Sequence, residues 1–362
     1  MKTSVALCTY NGEKYIKEQL DSILNQTKKV DEIIVCDDCS SDKTVEILNH
    51  YSSTNPGLFK IYINEQNLRS VKNFEKAITL CTGDIIFLSD QDDFWVNEKV
   101  EEYVDYFALN PNIKVLASNG YCVNDNSQIE DKYALWDVPV FLKEIGVSYN
   151  YHDIINYVAN LATGASIAFR KEIISNIVPF PIIKGFHHDE WIAMIASSNN
   201  EFTLLNKKYF YYRTHNGQQV GGVFYDKTKK NKLFLSQFFN LQDDNIPFYI
   251  LKKRLSKIVS ANHLNKKILK THDKYQIMFQ ENSKNIAFIY SETRRKMKKK
   301  YPINSFLFNM SDKLLSKRCI LKFLFLRFYF LFLKYNIISN IVVINLLLYT
   351  RRSSLVSFLF SK

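Results

Sequence analysis

Three carboxylates fall within four residues in Ser89-Asp90-Gln91-Asp92-Asp93-Phe94-Trp95, directly after the apolar run Ile85-Ile86-Phe87-Leu88. Acids this crowded repel one another, so the ionised cluster needs a compensating cation or polar ligand. Mg²⁺ is characteristically held through one or two carboxylates together with substrate phosphates. The chemistry offered is therefore a divalent metal site that grips a phosphate-bearing substrate. The plainer alternative is an acidic turn between a strand and a helix, since Asp is common in turns.

Such a cluster needs rigid elements to aim it. An apolar run with no helical periodicity reads as a buried strand. Similar runs occur at Ser4 to Cys8, Glu32 to Cys36 and Phe59 to Ile63. Between them, apolar residues recur at helical spacing: Ile16, Leu20, Ile23 and Leu24, then Val45 and Leu48, then Val71, Phe74, Ala77 and Ile78. After the acids, Val100, Val104 and Phe107 continue the alternation. Strand–helix alternation predicts a mainly parallel sheet with helices on both faces. Ligands of open α/β sheets bind outside the carboxyl ends of the strands. Three predicted strand ends carry polar clusters there: Thr9-Tyr10-Asn11-Gly12, Asp37-Asp38, and Asp90 to Asp93. Neither GxxxxGK[ST] nor GxGxxG occurs, which disfavours a P-loop NTPase and a dinucleotide site. An acidic crevice takes a nucleoside diphosphate through a Mg²⁺ or Mn²⁺ bridge.

Charge divides the 362 residues unevenly. Residues 1–225 hold 20 Lys and Arg against 29 Asp and Glu, whereas residues 226–362 hold 28 against 7. An acidic front and a basic tail imply chemistry first and an anionic partner second. The six cysteines lack a disulfide-framework spacing, which points to a reducing compartment. Cys36-Asp37-Asp38-Cys39 has CxxC spacing, but no second pair completes a zinc site. The first strand begins at Ser4, leaving no room for a signal peptide, and a cytoplasmic location is expected.

Further motifs lie downstream. Thr163-Gly164 leads into a strand ending at Arg170, and His187-His188-Asp189-Glu190-Trp191 precedes a helical stretch. The aromatic strand Lys208 to Tyr212 empties into Arg213-Thr214-His215. Together with Thr9-Tyr10-Asn11-Gly12, Val35 to Asp42 and Ser89 to Trp95, these ordered motifs resemble the family-2 glycosyltransferases of the GT-A fold over roughly residues 3–222. Within that family the DQDDxW form is similar to bacterial rhamnosyltransferase-type enzymes of surface-polysaccharide assembly. The family usually has Gly where Arg69 stands, so this loop departs from the pattern.

The resemblance implies roles for individual residues. Thr9, Tyr10, Asp38 and Asp90 would contact the nucleotide, and Asp92 and Asp93 would hold Mg²⁺ or Mn²⁺. Asp189 would be the general base of an inverting transfer, with Glu190 as its substitute; the alternative is that Asp189 merely caps a helix. Trp191 would pack in the core or lie under an acceptor sugar. Arg213 and His215 would belong to a loop closing over the diphosphate, or to a solvated hairpin end. Arg69 would reach a phosphate. The donor implied is a nucleoside-diphosphate sugar, with dTDP-rhamnose first and a UDP-hexose next. The acceptor implied is a saccharide, lipid-linked if the protein docks on a membrane.

The expected organisation is a catalytic domain over residues 1–225 and a helical, basic and apolar region over 226–362. Cys319 to Lys334 is apolar with scattered cations, and Tyr335 to Thr350 is uncharged but short for a spanning helix. In-plane docking at the inner face of an anionic membrane is expected, rather than a span or a buried subdomain. The basic run Arg294 to Lys300 comes with no nucleic-acid reader module, so no nucleic-acid partner is expected. The competing function is a catalytically silent nucleotide-sugar-binding or scaffold protein at the membrane.

Overall fold

The computed structural model describes residues 1–309 except 219–221, 244 and 307. In chain order the elements are β1 (Thr3–Thr9), α1 (Ile16–Leu24), β2 (Glu32–Asp37), α2 (Thr44–Thr54), β3 (Phe59–Ile63), α3 (Arg69–Leu80), β4 (Ile85–Asp90) and β5 (Phe94–Trp95). They continue as α4 (Lys99–Leu109), β6 (Val115–Val123), β7 (Lys132–Ala134), α5 (Val138–Glu144), α6 (Tyr151–Tyr157), β8 (Ala168–Arg170), α7 (Ile174–Ile177) and α8 (His188–Ser198). Then follow β9 (Phe202–Arg213), β10 (Phe224–Asp226), α9 (Lys229–Phe239), α10 (Phe248–Thr271) and α11 (Gln276–Lys300).

The main sheet runs β3-β2-β1-β4-β8-β6-β9-β5, and β7 pairs with β10 in a small second sheet. The first four strands are mutually parallel, and β1 and β2 are buried along their whole length. Covered on both faces, such strands read as continuous apolar runs, which is why the sequence shows no alternation there. Ile16, Leu20 and Ile23 of α1 and Phe74, Ala77 and Ile78 of α3 are buried, each set recurring at helical spacing on one side of its helix. β8 enters antiparallel beside β4, so the sheet is mixed in its second half. This is the GT-A-type architecture implied by the resemblance.

Register decides where the chemistry sits. Thr9 stands opposite Asp37, and Cys8 stands opposite Asp90. Adjacent strands lie about 4.8 Å apart, so Tyr10, Asp38 and the Asp90–Asp93 turn leave the sheet at one edge. On the far side, β9 runs parallel to β6 and antiparallel to β5, with Phe94 opposite Tyr211. That pairing brings Arg213 back to the acids.

By internal contacts the chain falls into two units, Met1–Lys296 and Met297–Lys362. Within the first unit α8 and α11 pack together: Trp191 stacks at 6.0 Å on Phe279, and Tyr275 donates from its hydroxyl to Asn176 O at 2.6 Å. In the second unit the end of α11 is strongly basic, with Lys298, Lys299 and Lys300. The apolar segments from Cys319 onward lie outside the described residues. Among the described residues, no helix is long and apolar enough to cross a membrane.

Candidate active site

The three acids of the β4–β5 turn face different partners. Asp90 keeps part of its surface open, and among the described residues no hydrogen bond to its carboxylate is found. Burial pushes its pKa up to about 8, and the negative charges of Asp92 and Asp189 add to the shift while Lys99 opposes it. Asp92 accepts from His215 Nε2 at 2.9 Å. The Gly217 N–H donates to Nδ1 of the same ring at 3.2 Å, so the proton belongs on Nε2 and points at Asp92. Asp93 is only 1% exposed and accepts from the Arg213 N–H at 2.9 Å.

Arg213 explains that division. Its side chain is 1% exposed, and its Nε donates to the Asp92 carbonyl at 2.8 Å. Its other donors meet Ser127 Oγ at 2.9 Å and the Glu18 carboxylate, and its guanidinium lies 4.8 Å over the Tyr15 ring. A planar fork with five donors suits this task. Arg213 therefore clamps the acidic turn and is not free to close over a diphosphate, as the loop reading expected. Asp93 is turned toward that clamp, whereas Asp92 faces His215.

Lys99 was not anticipated. It sits in the first turn of α4, is 0% exposed, and donates from Nζ to Ala165 O at 2.6 Å. The ammonium lies 4.0 Å over the Trp95 ring. Burial pushes its pKa well below the usual lysine range, and Asp93 and Asp90 oppose that shift, so Lys99 is the basic group placed against the acids of the cluster. A lone Lys four residues after Trp95 carries no sequence signal of burial; only the turn's return beneath the acids creates one.

On the other side, Gln91 grips the β1 end: it accepts from Tyr10 N at 2.7 Å and donates to Tyr10 O at 2.9 Å. Its side chain fills the space a Cβ on Gly12 would need. Tyr10 itself is 38% exposed, open for stacking. Thr9 is buried, with its hydroxyl committed to Asp37 at 2.7 Å, so its side chain braces β2 and is not presented to a nucleotide.

Asp38 is 3% exposed and organises the loop before α3. It accepts from Asn64 Nδ2 at 2.8 Å, Leu68 N at 2.7 Å and Arg69 N at 2.8 Å. Arg69 has φ +64°, a left-handed conformation that costs an L-residue about 1–2 kcal/mol and costs Gly nothing. The turn thus keeps the shape Gly would favour, held by the Asp38 carboxylate. The Arg69 side chain is exposed.

The fourth component arrives on α8. Its N-cap is His187, and Asp189 and Glu190 occupy the first turn, where the helix dipole favours negative charge. Asp189 accepts from the Glu190 N–H at 2.8 Å, and its charge reaches Asp90. The N-cap role weighed for Asp189 belongs to His187. His188 is 6% exposed, stacks at 4.0 Å on Phe74, and leaves both ring nitrogens without a partner among the described residues. A Cβ on Gly164 would sit 3.0 Å from His188 Nε2 and 3.3 Å from Asp90 Oδ2, so a side chain there would press on both groups where β8's approach meets the acids. Trp191 is 1% exposed and donates from its indole to Ile177 O at 2.8 Å, which makes it a core residue. It is not available under an acceptor sugar.

Among the described residues, no three His, Cys, Asp or Glu side chains are gathered closely enough to hold a metal alone. Asp90 and Asp92 nevertheless fit a hard cation. Asp90 is a partly open carboxylate to which no donor among the described residues points, Asp92 is oriented by an imidazole, and Mg²⁺ characteristically completes its shell with waters and phosphates. Cys36 is buried and Cys39 exposed, and among the described residues no group of three His, Cys, Asp or Glu gathers to hold a metal with them.

Comparison with known proteins agrees with this geometry. The sequence matches the family described as Glycosyl transferase family 2 over residues 4–178. It is 31% identical over 238 residues to the dTDP-rhamnosyl transferase RfbG of Shigella flexneri, covering 63% of this chain and 78% of that protein. It is 29% identical over 237 residues to the uncharacterized glycosyltransferase MJ1057 of Methanocaldococcus jannaschii, covering 64% and 76%. Among solved structures, S. aureus TarS 1–349 in complex with UDP-GlcNAc aligns with TM-score 0.47 and 18% identity over 82% of this chain and 83% of that one. With the ordered motifs, the strand-end acids and these relatives in agreement, the chain belongs to glycosyl transferase family 2.

Proposed function

We propose that the protein transfers a sugar, with inversion, from a nucleoside-diphosphate sugar to a hydroxyl of a lipid-linked saccharide in the assembly of a bacterial surface polysaccharide. The observation that carries this reading is the convergence of two separate points of the chain: a Cβ on Gly164 would meet Asp90 Oδ2 at 3.3 Å and His188 Nε2 at 3.0 Å, which brings the first turn of α8, with Asp189, beside the acids of the β4–β5 turn. Asp189 takes the proton of the acceptor hydroxyl as its oxygen attacks the anomeric carbon and the bond to the diphosphate breaks. Asp90 and Asp92 hold Mg²⁺ or Mn²⁺, which when bound stabilises the negative charge gathering on the leaving diphosphate. Tyr10 stacks on the base, and the Asp38-held loop lies beside the ribose. Glu190 lies next to the base on the acceptor side.

For the donor, dTDP-rhamnose comes first, because RfbG is described as a dTDP-rhamnosyl transferase. A UDP-hexose is next, because WfgD of Escherichia coli, 24% identical over 196 residues, is described as using UDP-Glc on a GlcNAc-diphosphoundecaprenol. We place the catalytic machinery within residues 1–225 and assign residues 226–362, with 28 Lys and Arg against 7 acids, to the cytoplasmic inner face of an anionic membrane. The test is nucleotide-sugar turnover with and without Mn²⁺ for wild type and Asp92→Ala. Metal-stimulated turnover in the wild type alone is expected; equal turnover in both proteins ends the proposal.

A further inference from the structure

A cavity of about 500 Å³ lies beside the acidic crevice, between the end of α6, the 183–185 segment, α8, α10 and α11. Its floor carries five buried apolar side chains, Ile155, Ile183, Ile268, Phe279 and Ile286, together with the buried amides of Asn156 and Asn265. Its rim is cationic, with the exposed side chains of Lys184, Lys257 and Lys267, and His263 beside them. α10 supplies Lys257, Ser260, Ala261, Leu264 and Ile268 at i, i+3, i+4, i+7 and i+11, one continuous stripe. Among the described residues that line it, the only acid is Glu190, the residue after Asp189. Burial, reinforced by Asp189 and opposed by Lys257, pushes the Glu190 carboxyl up to about 8, which weakens its repulsion of an anion.

An apolar floor under a positive rim suits an amphiphilic anion. The cavity also has the opposite charge character to the strand-end acids, so the two compartments take different ligands. We propose that this cavity is the acceptor's anchoring site, binding a prenyl diphosphate with its hydrocarbon on the apolar floor and its phosphates at Lys257 and Lys267. The inference rests on the family-2 transfer reading. It adds that the acceptor is recognised by its lipid diphosphate and not by its sugar alone. Seated there, an attached saccharide extends past Glu190 toward Asp189. Lys257 and Lys267 are exposed, so replacing them removes charge without opening the core.

The test titrates the full-length protein with geranyl diphosphate in EDTA, which removes any metal-dependent binding of phosphates at the acids. We expect binding that weakens at least about tenfold, or about 1.4 kcal/mol, in the Lys257→Glu, Lys267→Glu double variant. Lys257→Arg with Lys267→Arg and, separately, Asp92→Ala are expected to bind like the wild type. Geraniol binding as tightly as geranyl diphosphate, or inorganic pyrophosphate doing so, would overturn the proposal, as would equal affinity in the charge-reversed protein. Nucleotide-sugar hydrolysis with Mn²⁺ is measured in parallel. Its absence in wild type sinks the transfer reading while the diphosphate titration still decides the cavity. Its retention in the charge-reversed protein shows that the fold and the donor site are intact.

Discussion

His215 donates from Nε2 to Asp92 Oδ2 at 2.9 Å, joining the end of β9 to the acidic turn 123 residues earlier in the chain. The imidazole is itself oriented by the Gly217 N–H and packs 4.6 Å from the Tyr15 ring. A partner that orients a ligating carboxylate typically contributes 10–100-fold to metal affinity or activity. His215→Ala should therefore raise the Mn²⁺ concentration needed for half-maximal turnover by roughly 10–100-fold. An unchanged Mn²⁺ requirement would show that Asp92 needs no such support.

Asp189→Asn removes the proton acceptor but keeps the shape of the first turn of α8. General base catalysis is worth roughly 10²–10⁴-fold, so kcat should fall by that amount with donor KM nearly unchanged. Glu190→Gln, on the neighbouring side, should keep most of the turnover. Full activity in Asp189→Asn would favour another base, and no turnover in wild type would favour the silent scaffold.

Lys99 is the enclosed basic group that interacts with Asp90 and Asp93. Removing one partner of a buried charge group costs about 3–5 kcal/mol, because the remaining charge loses its compensation. Lys99→Met should lower the stability measured by urea unfolding by about that amount. A loss below about 1 kcal/mol would mean that the acids are protonated in the metal-free fold and need no counter-ion.

Glu32 gives a pH dependence remote from the site. Burial raises its pKa, but hydrogen bonds from Lys60, Ser4 and Thr82 outweigh it and bring the value down to about 2 from an ordinary 4.5. A carboxylate whose folded pKa is depressed contributes stability that is present above its unfolded pKa and lost as pH falls toward the folded one. Unfolding free energy should thus decline between about pH 4.5 and about pH 2. In Glu32→Gln that part of the decline, about 3 kcal/mol, should disappear; an identical acid profile in both proteins would contradict it.

Arg69 occupies a left-handed position with an exposed side chain. Arg69→Gly relieves about 1–2 kcal/mol of backbone cost and gives back roughly 0.5–1 kcal/mol in unfolded-state entropy. The melting midpoint should hold or rise slightly. A clear drop would mean that the arginine side chain, and not Asp38, maintains the loop.

Much of this was legible in the one-dimensional pattern. Parallel strands covered on both faces must be apolar throughout, so β1, β2 and β4 announced themselves, and polar residues at their ends marked the edge where Tyr10, Asp38 and the Asp90–Asp93 turn meet. Cluster chemistry was legible too, because three acids in a turn demand compensation whatever their surroundings. Less legible was which acid does what. Asp93 and Asp92 are adjacent and chemically identical; β9's register, not their sequence, turns one into the Arg213 clamp and leaves the other beside His215.

Local sequence by itself determined the strand–helix order, the acidic edge and the polarity split between front and tail, since each follows from the periodicity or composition of a short segment. Tertiary structure alone decided that Lys99 is buried beneath the acids, that Arg213 and Trp191 are structural, and that α10 closes a cationic cavity beside Glu190. Those outcomes depend on which distant elements pack together. A side chain's charge environment is set by neighbours in space, which no window along the chain contains.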